Sequence, residues 1–558
     1  MSSSRPSKSP ARRRNNRVAD DPSFDGAAEA APADVASAAA AASATGAAAA
    51  AAAEPPPAPL DGTTRAMTAM MVLTTAKAEY DALPAGDEAA AHALHRKHAQ
   101  ACFETARASG GVYIKAAQFV ASLKGAAEAG IPTEYVTALA SLTDQAPGRP
   151  WAEVSSVMDE DLPGSSSDFF ERIEPLPLAA ASLAQVHRAT LRAEYDGISK
   201  VAIKVQRPGL AAQMADDFSV FAAFRSMVRP GGHDLGWLVD DVQRHIETEL
   251  DFRNEVRNAA ACRAALAWRC GRVRVPAVVP KLCSARIVTS ELVEGCVRVD
   301  DAEGLRRIGV SSAEASELIA SAFAELTLVH GLVHGDPHAG NVYLRAAPPG
   351  GATRAWRPWR RRATVELVVF DHGLYHTLDD AARLKLAELL LLCARPRPPK
   401  RRVRQAAEAL AGPQLWKLLP LLLSPAFALG SSLTRDELRA AARGELPADA
   451  DLDAVYRALV AVREREPWLL GLLHSLGYVR GLLGALGQPE RARVHELARW
   501  ATVARARVVS PVPPWWRAPR LALALALAWW RVALLFGLLR AVALGFAVAG
   551  RFHRPRKS

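Results

Sequence analysis

An aspartate followed five positions later by an asparagine stands in Val333-His334-Gly335-Asp336-Pro337-His338-Ala339-Gly340-Asn341. A carboxylate at that spacing can face an attacking hydroxyl while the amide oxygen holds magnesium, the arrangement of phosphoryl transfer. A second carboxylate follows in Val368-Val369-Phe370-Asp371-His372-Gly373, where three apolar residues of β character run into Asp371 and a glycine. Upstream, Val201-Ala202-Ile203-Lys204 ends a strand-like run on a cation. A lysine, an Asp–Asn pair and a further Asp together make a kit for nucleotide phosphates and magnesium.

The three motifs occur in the order and at the distances of a protein kinase: strand lysine, catalytic loop, D-F-G. One match would carry little; three in order carry much. The elements that must position them follow. Residues 318–329 are an apolar helical run leading into the Asp336 loop. Before Lys204 stand Ala179, Ala180, Ala181 and Ser182, where a kinase places its glycine-rich turn over the phosphates. Alanine there restricts backbone approach, so nucleotide would be cradled differently, or the stretch is a plain hairpin. The helical stretch 235–267 offers Glu249, Asp251 and Glu255 as partners for Lys204; an acidic helix face is otherwise simply solvated. Residues 286–295 read as a strand and turn whose backbone, around Glu291, would meet the adenine at a hinge. Residues 62–147 read as helices, with the break Gly110-Gly111 before a helix carrying Lys115 and Gln118 on one face. By spacing alone those two are surface side chains. Leu-rich stretches 384–393, 415–423 and 469–486 are helical core.

At 558 residues the chain exceeds one ordinary domain. The formal charge of +11 is spread over tails and loops, among them Arg12 to Arg14, Arg360 to Arg362, Arg401 and Arg402, and Arg554. Such a spread excludes a contiguous nucleic-acid surface and suits attraction to a membrane, or plain solvation. The six cysteines form no C-x-x-C pair, so neither a zinc nor a redox signature is present. Residues 1–19 are basic, Ser-containing and free of acid, like an organellar transit peptide or an ordinary basic tail. Residues 26–59 are an Ala- and Pro-rich linker. The tail 521–549 is apolar but carries Arg531 and Arg540 on opposite helical faces, at roughly 2.5–3.5 kcal/mol each inside a bilayer. Two short membrane-embedded helices, one span packed on a partner, or a helix packed on the body are its possible forms.

With these residues assembled, the chain resembles the UbiB-type, aarF-domain-containing atypical kinases over roughly residues 65–490, most closely their mitochondrial branch. Lys115-Ala116-Ala117-Gln118 resembles the family's K-x-G-Q helix and Ala179-Ala180-Ala181-Ser182 its alanine loop. Glu249-Leu250-Asp251 with Glu255 resembles its E-x-D helix, 334–341 its H-G-D-P-H-x-G-N loop, and Asp371-His372-Gly373 its D-x-G. The resemblance implies an α+β, helix-rich, bilobal protein-kinase-like fold with an N-terminal helical extension folded over the site. It divides the chain into a transit-like and linker segment (1–61), the extension (62–150), an N-lobe (151–295), a helical C-lobe (296–505) and an apolar basic tail (506–558). It implies that Lys204 pairs with Glu255 and contacts the phosphates of ATP or ADP. Asp336 is then the catalytic-loop aspartate, Asn341 and Asp371 hold magnesium, and Lys115 and Gln118 meet Glu249 and Asp251 near the pocket.

The function implied is an ATP-dependent atypical kinase or ATPase linked to prenylquinone (coenzyme Q-like) or organellar lipid homeostasis. Its partners would be nucleotide and membrane lipid or prenylquinone-pathway proteins, at a mitochondrial or alternatively chloroplast membrane, with no nucleic acid. The alternatives are a genuine protein serine/threonine kinase and a non-catalytic nucleotide-binding scaffold. Two residues depart from the family pattern: Ala117 stands for a glycine, adding a Cβ where the helix would approach the alanine loop, and Ala339 for a proline.

Overall fold

The computed structural model describes residues 60–122, 132–224, 243–347, 365–430, 434 and 461–552, apart from 85–86, 140–141, 143–147, 182, 245, 270, 463–465, 489 and 510–513. The transit-like and linker residues and the arginines at 357–362 lie outside the described residues.

Four helices open the described chain: α1 (Gly62–Asp81), α2 (Glu88–Ser109), α3 (Gly111–Ser122) and α4 (Thr133–Leu139). Asp61 and Asp87 cap the first two, accepting from the backbone N–H groups of Thr64 and Ala90. The Gly-Gly break is real: Gly110 and Gly111 both have positive φ, at 69° and 46°. Ala117 does not approach the alanine loop as expected. Its methyl is buried in the extension's own core with Ala69, Ala106 and Tyr113, while Val112 and Ala116 pack toward Leu183, Leu210 and Met214. One step of 100° along α3 separates the two faces.

The N-lobe follows with α5 (Trp151–Asp161) and strands β1 (Phe170–Ile173), β2 (Ala179–Ala180), β3 (Ala184–Tyr195) and β4 (Ile198–Gln206). Helices α6 (Leu210–Phe224) and α7 (Phe252–Leu266) lead to β5 (Val273–Arg274) and β6 (Ile287–Glu291). All of these strands but β5 form one sheet in the order β1-β3-β4-β6, with β2 paired to β3. In β4, Val201, Ile203 and Val205 are buried against α5 in a core with Val154, Met158 and Phe170. Strand alternation therefore turns Lys204 to the opposite face, toward α7. The expected single helix over 235–267 is interrupted: Asp251 has extended backbone and caps α7, its carboxylate accepting from Arg253 N. An Asx cap competes with helix continuation at that residue.

The C-lobe comprises β7 (Val297–Arg298), α8 (Ala302–Arg307), α9 (Ser312–His330), β8 (Leu332–His334), β9 (Val342–Ala346), β10 (Val365–Val369), β11 (Tyr375–Thr377), α10 (Asp380–Cys393), α11 (Lys400–Leu415), α12 (Leu419–Leu423), α13 (Pro467–Ala485), α14 (Arg491–Val509) and α15 (Pro514–Phe552). Helix α9 is buried on every side from Leu318 to Val329, which makes it the lobe's axis. It ends at Gly331, left-handed at φ 69°, where a Cβ would run into the Leu378 carbonyl. That turn sends the chain into the Asp336 loop. The expected helix over 415–423 is split, α11 ending at Leu415 and α12 starting at Leu419 with Pro420 in its first turn. Segment 521–549 lies in one continuous helix, α15, instead of two short ones. The whole is a two-lobed, helix-rich, α+β kinase-like fold with a helical extension.

Candidate active site

Lys204 is the hub. Its Nζ donates to Glu255 Oε2 at 2.9 Å and to Asp371 Oδ2 at 3.2 Å, and lies 5.2 Å from the centre of the Phe252 ring. Burial alone would lower the lysine's pKa, but Asp371 and Glu255 outweigh it and raise it, keeping the ammonium charged. Glu255 sits in the first turn of α7, at a height set by the Asp251 cap. Burial pushes its carboxyl up, with Lys204 opposing.

Strand β10 is buried on both faces and pairs with β9 through all five residues, from Val365↔Ala346 to Val369↔Val342. It delivers Asp371, which has a left-handed backbone at φ 51°. A non-glycine residue in that region is strained and is held by its surroundings. Three contacts hold this one. Gly373 N–H donates to Asp371 Oδ1 at 3.0 Å, Asn258 Nδ2 donates to the His372 carbonyl at 2.9 Å, and His372 Nδ1 lies 2.9 Å from the Tyr375 hydroxyl. Burial would raise the Asp371 pKa, yet Lys204, Lys115 and the Gly373 N–H reverse it and hold the carboxyl well below its usual range.

The Asp336 loop is tied to the Asp371 segment by its backbone. Gly335 N–H donates to the Leu374 carbonyl at 2.8 Å and Phe370 N–H to the Asn341 carbonyl at 2.8 Å. A Cβ on Gly335 would strike Leu374, so glycine permits this approach. Asn341 Nδ2 donates to the Asp336 carbonyl at 3.0 Å, which fixes the amide and leaves its oxygen to act as a ligand. Burial pushes the Asp336 carboxyl up, opposed by His338 and Lys115.

In the sequence alone His338 has no evident role, and the structure sets it beside Asp336. Gly340 N–H donates to its Nδ1 at 2.9 Å, so the neutral ring carries its proton on Nε2, which lies 3.6 Å from Asp336 Oδ2. A histidine two residues past the loop aspartate was the signal available.

Lys115 comes in from the extension. Its Nζ lies 2.9 Å from Glu249 Oε2, and Asp336 and Asp371 add to the field that keeps it charged. Asp251 does not join it. Its carboxylate binds Arg253, at 2.7 Å to Nε and 3.0 Å to Nη2, because capping α7 turns it toward that neighbour. Gln118 lies on α3, but its side chain is outside the described residues.

The alanine stretch is a hairpin: Ala179 pairs with Val186, Ala180 with Gln185, and Ala181 N–H donates to the Ala184 carbonyl at 2.8 Å. Ser182, at its tip, is outside the described residues. Glu291 ends β6 beside Val201, where its side chain accepts from Arg274 Nη1 at 2.5 Å. Its backbone N–H donates to the Ala277 carbonyl at 2.7 Å, so the donor expected to meet the adenine at Glu291 is already engaged.

The donor chemistry suits magnesium. Asn341 offers an amide oxygen and Asp371 a firmly ionised carboxylate, both hard ligands. Among the described residues no three His, Cys, Asp or Glu side chains cluster as a metal site. An ion held here would complete its shell from phosphate and water, the usual habit of magnesium.

Residues 141–398 match the family described as ABC1 atypical kinase-like domain. AarF domain-containing protein kinase 1 of Xenopus laevis is 33% identical over 335 residues, 59% of this chain and 59% of that protein. Its Mus musculus counterpart is 34% identical over 329 residues, 57% of this chain and 58% of that protein. A Dictyostelium discoideum protein, named as probable serine/threonine-protein kinase abkD, is 30% identical over 418 residues, 73% of this chain and 55% of that protein. The chain thus spans between half and two-thirds of the length of each of these relatives.

Proposed function

Because this chain belongs, through residues 141–398, to the ABC1 atypical kinase-like family, we propose that it is an atypical kinase or ATPase that cleaves ATP to ADP with magnesium. The observation that carries the reading is Lys204, shared between Glu255 and Asp371 on two different lobes. Such a lysine is positioned to meet the nucleotide phosphates. In the reaction an acceptor oxygen attacks the terminal phosphorus, the bond to the ADP oxygen breaks, and the acceptor proton passes to Asp336. A carboxyl whose pKa is raised by burial suits that proton. Lys204 neutralises phosphate charge, and Glu255 keeps it aimed. Magnesium held by Asn341 and Asp371 would neutralise charge on the same phosphates.

Lys115 narrows the acceptor. An ammonium from the extension, next to Asp336, favours water or a small hydroxyl over an extended peptide. The finer reading places that acceptor in prenylquinone (coenzyme Q-like) or lipid homeostasis at an organellar membrane, mitochondrial or plastid. The motif resemblance and the basic residues 1–19 support it. The second reading, a protein serine/threonine kinase, is favoured by the name that the Dictyostelium relative carries. Terminally labelled ATP separates the two. Label released as inorganic phosphate supports the first, and label fixed on serine or threonine of added protein supports the second.

A further inference from the structure

Helix α15 presents a packed face and an open apolar stripe, with Trp529, 50% exposed, about 140° from the centre of that stripe. Ala528, Val532 and Leu535 are buried, and Val532 and Leu535 enter the C-lobe core as α15 packs along α14. Leu523, Leu527, Trp530, Leu534 and Leu538 are exposed, Leu523 at 63% and Trp530 at 60%. At 100° per residue these five fall within an arc of about 80°, and the packed three are centred roughly 130° away. An apolar stripe of this length open to solvent marks a binding surface.

The border of the stripe is basic. Arg531 stands between the open and packed faces. Arg395, Arg402, Arg505 and Arg531 each adjoin a residue of one core cluster: Ala394, Val403, Ala504 and Val532. Burial lowers the Arg395 pKa, and Arg531, Arg402 and Arg505 each lower it further, so Arg395 lies in the field of the other three. Arg402 pairs with Glu388 at 2.9 Å, while Arg395 Nε is buried without a hydrogen-bond partner among the described residues. Repelling cations beside an open apolar stripe are complementary to a surface that is anionic outside and apolar beneath.

We propose that α15 lies in the plane of an anionic bilayer surface, with its leucine and tryptophan stripe in the interface and Arg395, Arg402, Arg505 and Arg531 on lipid phosphates. A transmembrane path would strip Val532 and Leu535 out of the C-lobe core, so the helix attaches without crossing. This names the partner for the membrane reading above and rests on it, though nucleotide chemistry plays no part in the attachment.

The full chain is sedimented, without nucleotide, with vesicles of phosphatidylcholine alone and of phosphatidylcholine with about one-third phosphatidylserine. Binding is expected to the anionic vesicles and to weaken with salt. Each of Arg395→Gln, Arg505→Gln and Arg531→Gln is expected to weaken it about fivefold. Leu527→Ser with Trp530→Ser, on exposed positions that leave the unfolding midpoint unchanged, is expected to abolish it. Equal binding to neutral vesicles, or resistance to alkaline carbonate, would overturn the proposal in favour of a span. A stripe variant that changes only the oligomeric state would assign the stripe to a second copy and overturn it too. Hydrolysis of ATP in solution is scored separately: turnover without vesicle binding sinks the surface alone, and binding without turnover sinks the nucleotide reading alone.

Discussion

Lys115 of the extension and Glu249 of the segment entering α7 meet at 2.9 Å, each about one-fifth exposed. The pair joins the extension to the N-lobe beside Asp336. A double-mutant cycle with Lys115→Met and Glu249→Gln should show a coupling of about 1 kcal/mol in urea unfolding, discounted for exposure. Lys115→Met should also raise label transfer from ATP to added peptide above the wild-type level. Zero coupling, with no gain in transfer, would remove Lys115 from the acceptor side.

Glu255 acts through Lys204. Glu255→Gln keeps a hydrogen-bond acceptor but loses the charge, and should lower kcat/KM for ATP about tenfold to a hundredfold. Lys204→Ala removes a donor to the developing phosphate charge and should cost about a hundredfold to a thousandfold. A Glu255→Gln loss larger than that of Lys204→Ala would contradict this order of dependence.

His187 is buried in β3. Its Nδ1–H donates to the Glu174 carbonyl at 2.8 Å and its Nε2 faces Gln185 Nε2 at 2.7 Å. Burial lowers its pKa, with the Glu174 carbonyl opposing. The unfolded chain takes up this proton near pH 6.5 and the folded chain resists it. The stability that His187 supplies is therefore complete above about pH 6.5 and is lost as pH falls, by at most about 1.4 kcal/mol per pH unit. His187→Gln should cost about 1–2 kcal/mol at neutral pH yet flatten the slope between about pH 7 and 5. Urea midpoints at three pH values measure it, and an unchanged slope would count against the buried neutral ring.

Arg269 lies between Trp268 and Trp500, 4.7 Å and 5.2 Å from their ring centres, and donates to buried Glu325 at 2.5 Å. It ties the end of the Glu255 helix segment to α9 and α14. Arg269→Ala strands the Glu325 charge and should destabilise the chain by about 3–5 kcal/mol. Glu325→Gln in that background should recover part of the loss, and no recovery would show that packing on the tryptophans dominates.

The two-lobed fold and the gathering of Lys204, Asp336, Asn341 and Asp371 at one site were legible because motif order is a local property of sequence, whereas Glu255 was singled out from Glu249 and Asp251 only by the family resemblance. What escaped was set by side-chain competition in three dimensions. Asp251 could pair with Lys115 or cap α7, and capping won. Ala117 and Ala116 are neighbours in sequence, so which faced the alanine hairpin depended on the rotation of α3, fixed only by Tyr113 and Leu139 packing. His338 needed the Gly340 hydrogen bond to reveal which nitrogen faces Asp336. The two faces of α15 are equally apolar in sequence, and only packing on α14 distinguishes them.

The measurement that bears most directly on the central claim is magnesium-dependent ATP hydrolysis by the full chain beside Asp371→Asn. Asparagine keeps the shape but removes the charge shared with Lys204 and offered to the metal. The account predicts hydrolysis by the wild type that needs magnesium and falls about a hundredfold or more in the variant. Hydrolysis equal in the two, or indifferent to magnesium, would contradict it.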